Sequence, residues 1–165
     1  MIIVAIGSNL PLPDGGCPRE ACERAVAELA AAGVAIIRHS SWYLTAPVPA
    51  SDQPDFVNGV VSVATALPPT ALMALLHGIE ARLGRVRSTA NAARTLDLDL
   101  IAYNDVLRQG PESPVLPHPR LADRAFVLEP LAEIAPDWRH PLLGLSAAAL
   151  RDALPPGQRC TRLAE

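Results

Sequence analysis

The sequence predicts an α+β fold, a ferredoxin-like β-α-β-β-α-β sandwich with C-terminal additions. Three observations predict it. Runs rich in apolar, β-branched and aromatic residues at 2–6, 34–45, 56–67 and 95–103 have strand composition. Two segments of helix-forming composition, 18–33 and 68–83, follow the first and the third of these runs. That order suits one antiparallel sheet carrying two helices on one face. The chain has 165 residues, 50% of them hydrophobic, which is enough for a sizeable core and fits a single domain over 1–165.

The elements follow in order. "IIVAI" opens as a strand and "GSNLPLPDGG" breaks it with Gly and Pro. Pro18 suits a first helical turn, the Ala-rich stretch after it suits the helix body, and Gly33 suits the stop. "VAIIRHSSWYLT" reads as the second strand and "APVPASDQPD" as a Pro-rich loop. In the third strand Val57, Gly59, Val61 and Val63 alternate with Asn58, Val60, Ser62 and Ala64. Pro68-Pro69-Thr70 opens a second helix whose Leu72, Leu75, Leu76, Ile79 and Leu83 share one face. Gly84 ends it. After the fourth strand, "DVLRQGPESPVLPHPRL" is irregular, "ADRAFVLEPLAEIAPDW" is a short helical stretch interrupted by Pro130, "LSAAALRDAL" is a small helix, and the tail is polar.

Composition excludes several classes. The formal net charge of −3 offers no basic nucleic-acid footprint. No run of 18 apolar residues suggests a membrane span. The start lacks a basic leader region, so a cytoplasmic protein is expected. All 14 basic residues are Arg. Without a Lys there is no Walker A loop, and any phosphate must be held by Arg, backbone amides or a metal. Cys17, Cys22 and Cys160 form no CxxC pair, so neither a disulfide framework nor a zinc site with His39, His77, His118 or His140 is expected.

The chemistry concentrates in "RTLDLDLIAYND", 94–105. On a strand, Leu96, Leu98 and Leu100 share one face, and Asp97 and Asp99 lie side by side on the other. Two such carboxylates repel each other. Either the face is solvated, or a hard cation sits there and favours both ionised forms. Oxygen-only ligands point to Mg²⁺ or Ca²⁺, and Mg²⁺ often takes just two carboxylates plus water and phosphate oxygens. Arg85, Arg87 and Arg94 lie just upstream, as a solvated loop or as phosphate ligands. Together with the acids they suggest a Mg-nucleotide site.

With those residues in view, the chain resembles the 6-hydroxymethyl-7,8-dihydropterin pyrophosphokinases of folate biosynthesis. The resemblance runs in order through "AIGSNL", "SSWYLTAPV", "DQPDFVNGVV", "GIEARLGRVR", "RTLDLDLIAYND" and "LPHPRLADRAFVLEPLAEIAPDW". It implies transfer of the ATP pyrophosphoryl group to the pterin hydroxymethyl oxygen, giving AMP. It implies Asp97 and Asp99 as ligands of two Mg²⁺ ions, with Asp97 also helping to receive the hydroxyl proton. Arg85 and Arg94 would contact the phosphates and the developing charge, supported by His118 and Arg124, with Glu80 and Ile101 beside the nucleotide. Asn58 would pair with the polar edge of the pterin. Phe56 and Phe126 would stack on its ring, and Thr45, Pro47 and Val48 would line it. A monomer acting on ATP and hydroxymethyl-dihydropterin is expected.

The loop 85–94 departs from the family pattern. Ser88 replaces a basic residue, and Asn91, Ala92 and Ala93 stand where an Arg-Trp pair is usual, in a loop one residue shorter. Pro119 follows His118 where some members carry an aromatic. Two other readings share parts of the pattern. Another Mg-dependent phosphoryl transferase would keep the acids and arginines without needing Asn58. A pterin- or nucleotide-binding paralogue would not need the acid pair.

Overall fold

Strand β1 (Ile2–Ser8) lies in the middle of the sheet, and that position explains its unbroken apolar run. In a computed structural model of the chain, which describes residues 1–87 and 89–165, all seven of its residues are buried. (Ser88, the first departure in the 85–94 loop, lies outside the described residues.) A strand covered on both faces has no use for alternation. Ile2, Val4 and Ile6 pack with Leu29 of α1 (Pro18–Ala31) and with Leu76 and Ile79 of α2 (Pro69–Arg82). Ile3 and Ala5 pack on the opposite face with Leu128 and Leu131 of α3 (Ala125–Ile134) and Leu150 of α4 (Ala147–Asp152). Each fully buried Leu or Ile side chain contributes roughly 1.5–3 kcal/mol. The C-terminal additions are therefore the third layer of the molecule.

β1 is antiparallel to β4 (Phe56–Ala64) on one side and to β5 (Asp97–Tyr103) on the other. β4 in turn pairs with β2 (Ala35–His39) at one end and β3 (Tyr43–Thr45) at the other, and β3 pairs with β6 (Cys160–Arg162). The order β5-β1-β4-β3-β6, with two helices on one face, is the ferredoxin-like arrangement extended by one strand.

The structure corrects four local expectations. The single strand over 34–45 is two strands. Ser40 leaves the ladder to accept the Val60 N–H on its hydroxyl at 2.9 Å, and the Trp42 ring lies over Gly59, where a Cβ would come within 2.6 Å of it. The third strand ends at Ala64, where the Thr65 hydroxyl accepts the Leu67 N–H at 3.1 Å and turns the chain into α2. Pro130 does not interrupt its helix, because burial of Val127, Leu128, Leu131 and Ile134 outweighs one lost backbone bond. The polar tail contains β6, whose affinity for β3 is a backbone matter that side-chain patterning does not reveal.

The β5 pattern is as read from the sequence. Leu96, Leu98 and Leu100 are buried in the core beneath α1 and α2, and Asp97 and Asp99 are half-buried on the other face. The register shifts so that Val4 faces Leu100 and Ile3 faces Ala102, leaving Ile101 as an unpaired bulge residue. Among the described residues no helix is long and apolar enough to cross a membrane, and Cys17, Cys22 and Cys160 are free thiols.

Candidate active site

The site begins as a row across three strands. Gly7 of β1 lies opposite Asn58 of β4 and Asp97 of β5, so the two polar side chains project from one face with a glycine between them. A Cβ at Gly7 would collide with Asn58 Oδ1. Asn58 is buried, and its amide donates to Thr45 Oγ1 at 2.7 Å. The neighbouring row carries Asp99 opposite Ala5.

Two cavities open on this floor. The first is lined by Thr45, Pro47, Val48, Phe56, Asn58 and Phe126, together with the loop residues Gln53 and Asn91. The second is lined by Arg85, Arg87, Asp99 and His118 and by Thr89, Ala90, Ala92 and Ala93. Asn91, Arg94, Asp97 and Arg124 line both. An aromatic slot carrying the amides of Gln53, Asn58 and Asn91 therefore meets a basic, polar chamber along a shared wall of Asn91, Arg94, Asp97 and Arg124.

Charge organises the chamber. Arg85 Nη1 donates to Glu80 Oε1 and Asp97 Oδ1, each at 2.7 Å, and Arg94 Nη1 lies 3.0 Å from the same Asp97 oxygen. Glu80 is only 2% exposed and also accepts the Leu98 N–H at 2.8 Å and Arg87 at 3.0 Å. Burial pushes its carboxyl up, and these donors oppose that shift. Asp99 has a single looser cation, Arg124 at 3.7 Å. Burial and the neighbouring Asp97 charge push its carboxyl up to about 6. Arg124 also lies 5.3 Å above the Phe126 ring centre, a cation–π contact that joins the slot to the chamber.

His118 reaches the chamber from an irregular loop whose backbone N–H donates to the Ile101 carbonyl at 2.7 Å. Its Nδ1 accepts the Arg120 N–H at 3.1 Å, which leaves Nε2 as the protonated nitrogen. Burial, followed by Arg124 and Arg120, pushes the ring down to about 4, so it is neutral at neutral pH.

Twelve of the fourteen residues implied by the family resemblance line one cavity or both. The other two do not. Glu80 lies behind Arg85 and holds it in place. The Ile101 side chain is fully buried among the α3 and α4 contacts, and its carbonyl anchors the His118 loop. One residue of the segment read as breaking the first strand, Asn9, fastens both walls. Its Oδ1 accepts the Arg94 N–H at 2.9 Å, and its Nδ2 donates to Gln53 Oε1 at 3.1 Å and to the Pro54 carbonyl at 3.0 Å. The strand-breaking segment "GSNLPLPDGG" marked the spot but not this role. Gln53 then donates to the Asn91 carbonyl at 2.6 Å.

Among the described residues no cluster of three or more His, Cys, Asp and Glu side chains forms a closed metal cage. The donor set is the pair Asp97 and Asp99, hard oxygen ligands facing a chamber of phosphate-binding side chains. Asp99 has only the Arg124 guanidinium in ion-pair range among the described residues, at 3.7 Å. Both features fit a cation such as Mg²⁺, which completes its shell with substrate oxygens.

A ferredoxin-like sheet bearing an acid pair and an arginine chamber next to an aromatic slot defines a protein of the phosphotransferase class. Comparison with known proteins narrows this. The family model described as 7,8-dihydro-6-hydroxymethylpterin-pyrophosphokinase (HPPK) matches residues 3–136. The 2-amino-4-hydroxy-6-hydroxymethyldihydropteridine pyrophosphokinase of Synechocystis is 43% identical over 145 residues, covering 86% of this chain and 70% of that protein. The protein of the same name from Pseudomonas aeruginosa is 40% identical over 141 residues, covering 85% and 83%. The chain belongs to this pyrophosphokinase family. Wild-type Plasmodium falciparum HPPK-DHPS shares the fold, with a TM-score of 0.68 at 12% identity over 92% of this chain, which spans 44% of that longer one.

Proposed function

We propose that this chain transfers the pyrophosphoryl group of ATP to the hydroxymethyl oxygen of 6-hydroxymethyl-7,8-dihydropterin, forming the pterin diphosphate and AMP for folate synthesis. The new bond joins that oxygen to the β-phosphorus. The bond between the β-phosphorus and the oxygen retained by AMP breaks, and the hydroxyl proton is released. The observation that carries the reading is the wall of Arg94, Asp97 and Arg124 common to the two cavities. It brings a flat ring in the slot and a polyphosphate in the chamber to one boundary.

In this reading Phe56 and Phe126 hold the ring, and Asn58 pairs with its donor and acceptor edge while Thr45 keeps the amide oriented. Arg85 and Arg94 face the phosphates with their forks aimed by Glu80 and Asp97. Arg124 draws the transferred group toward the ring. His118, held neutral, donates a hydrogen bond from Nε2. Asp97 and Asp99 would hold Mg²⁺, two ions in all, which when bound neutralises phosphate charge. A monomer in the cytoplasm is the proposed working form.

The test is an AMP-release assay with Mg-ATP, with and without hydroxymethyl-dihydropterin. AMP formed only with the pterin supports reaction and acceptor together. Tight pterin binding by calorimetry without AMP would make the chain a binding paralogue, and absence of pterin binding would remove the substrate reading.

A further inference from the structure

The tail after α4 takes no part in the site described above, yet it touches both walls of the aromatic slot. Arg124, the N-cap residue of α3, carries no acceptor, and no side chain of its own element caps that end. The first free N–H, that of Ala125, is instead taken by Gln158 Oε1 at 2.9 Å, while Gln158 Nε2 donates to the Asp123 carbonyl at 2.8 Å. The next residue, Arg159, reaches the opposite wall. Its carbonyl accepts the Ala46 N–H at 3.2 Å, and its Nη2 lies 2.8 Å from Asp55 Oδ1. β6 then continues along β3, with Cys160 opposite Thr45. Ala125 immediately precedes Phe126, and Asp55 immediately precedes Phe56.

We propose that residues 158–162 form a strap that sets the separation of the two aromatic walls, with Gln158 and Arg159 as positioning residues for substrate affinity. Neither residue lines the slot, so they act through Phe126 and Phe56. The physical reason is that the two walls belong to different elements, the start of α3 and the start of β4. Gln158 and Arg159 are adjacent in the chain and grip one wall each. The substrate side of this inference rests on the pterin reading above.

The experiment compares wild type with Gln158→Ala, Gln158→Glu and Arg159→Ala. Pterin affinity and nucleotide-analogue affinity are measured by calorimetry, and amide exchange is followed at Ala46 and Ala125. Arg159→Ala removes an exposed ion pair and leaves the core untouched, so it folds even if a Gln158 variant does not. Loss of a positioning hydrogen bond predicts pterin affinity weaker by about tenfold in each Ala variant, with nucleotide affinity changed less than about threefold. Gln158→Glu keeps the acceptor for Ala125 but loses the donor to the Asp123 carbonyl, so it restores the affinity only in part. Pterin affinity unchanged in both Ala variants, or pterin and nucleotide affinities falling together, would overturn the strap. If wild type itself binds no pterin, the substrate reading fails. The strap is then judged by exchange alone: faster exchange at Ala125 in Gln158→Ala upholds it, and unchanged protection overturns it.

Discussion

Asn58 Oδ1 occupies the space above Gly7 that the Cβ of any other residue would need. The glycine therefore supports the slot from behind, because it leaves room for Asn58 Oδ1 while the Asn58 amide donates to Thr45. Gly7→Ala should rotate Asn58 away from Thr45. We expect pterin affinity to fall by about tenfold or more and stability by about 1–3 kcal/mol. Calorimetry with pterin and urea unfolding check both, and unchanged pterin affinity would contradict this role for the glycine.

Asp97 is the convergence point of Arg85 and Arg94 and lines both cavities. Asp97→Ala should lower kcat by about a hundredfold or more, since it removes an acid at the boundary where charge develops. Its half-buried position lets the variant fold. Steady-state rates beside a far-UV spectrum separate loss of chemistry from loss of structure. A near-normal rate would exclude Asp97 from the chemistry.

Glu80 is a buried acid that serves three donors. Glu80→Ala leaves Arg85 and the Leu98 N–H without this partner, and we expect a loss of about 3–5 kcal/mol, the range for breaking a buried pair. Glu80→Gln keeps an acceptor for Leu98 and should lose less. Denaturant unfolding of the two variants gives the comparison, and equal losses would mean that the neutral acceptor kept by Gln contributes nothing and the charge on Glu80 carries the whole effect.

His118 is held neutral, pushed down to about 4 from an ordinary value near 6.5. The unfolded chain therefore binds this proton more tightly than the folded one. The stabilisation is fully present above about pH 6.5 and is lost as pH falls toward 4, by less than about 1.4 kcal/mol per pH unit. Asp99, pushed up to about 6, acts with the opposite sign between its ordinary value of 3.8 and 6, gaining stability as pH falls. The difference between wild type and His118→Gln cancels the Asp99 contribution. That difference should shrink from pH 7 to pH 4.5, and a constant difference would mean that His118 is not buried neutral.

Much of this was legible in the chain itself. The i, i+4, i+7 spacing of Leu72, Leu76 and Ile79 set a helix face, and the alternation of Leu96, Leu98 and Leu100 with Asp97 and Asp99 set a strand with acids on one side. These are short-range consequences of backbone geometry, which residue order alone carries. The motif residues were also legible, because the chemistry of phosphate and of flat rings restricts which side chains serve. Only the tertiary structure decided that the Asp97 row continues through Gly7 to Asn58, that Glu80 stands behind Arg85, and that Asn9 ties both loops. Such relationships join residues far apart in the chain. They depend on strand register and on which buried polar group finds which partner, and residue spacing does not encode that. The tail shows the same division: Gln158 and Arg159 read only as part of a polar tail, and the pairing of β6 with β3 sets them against Ala125 and Asp55.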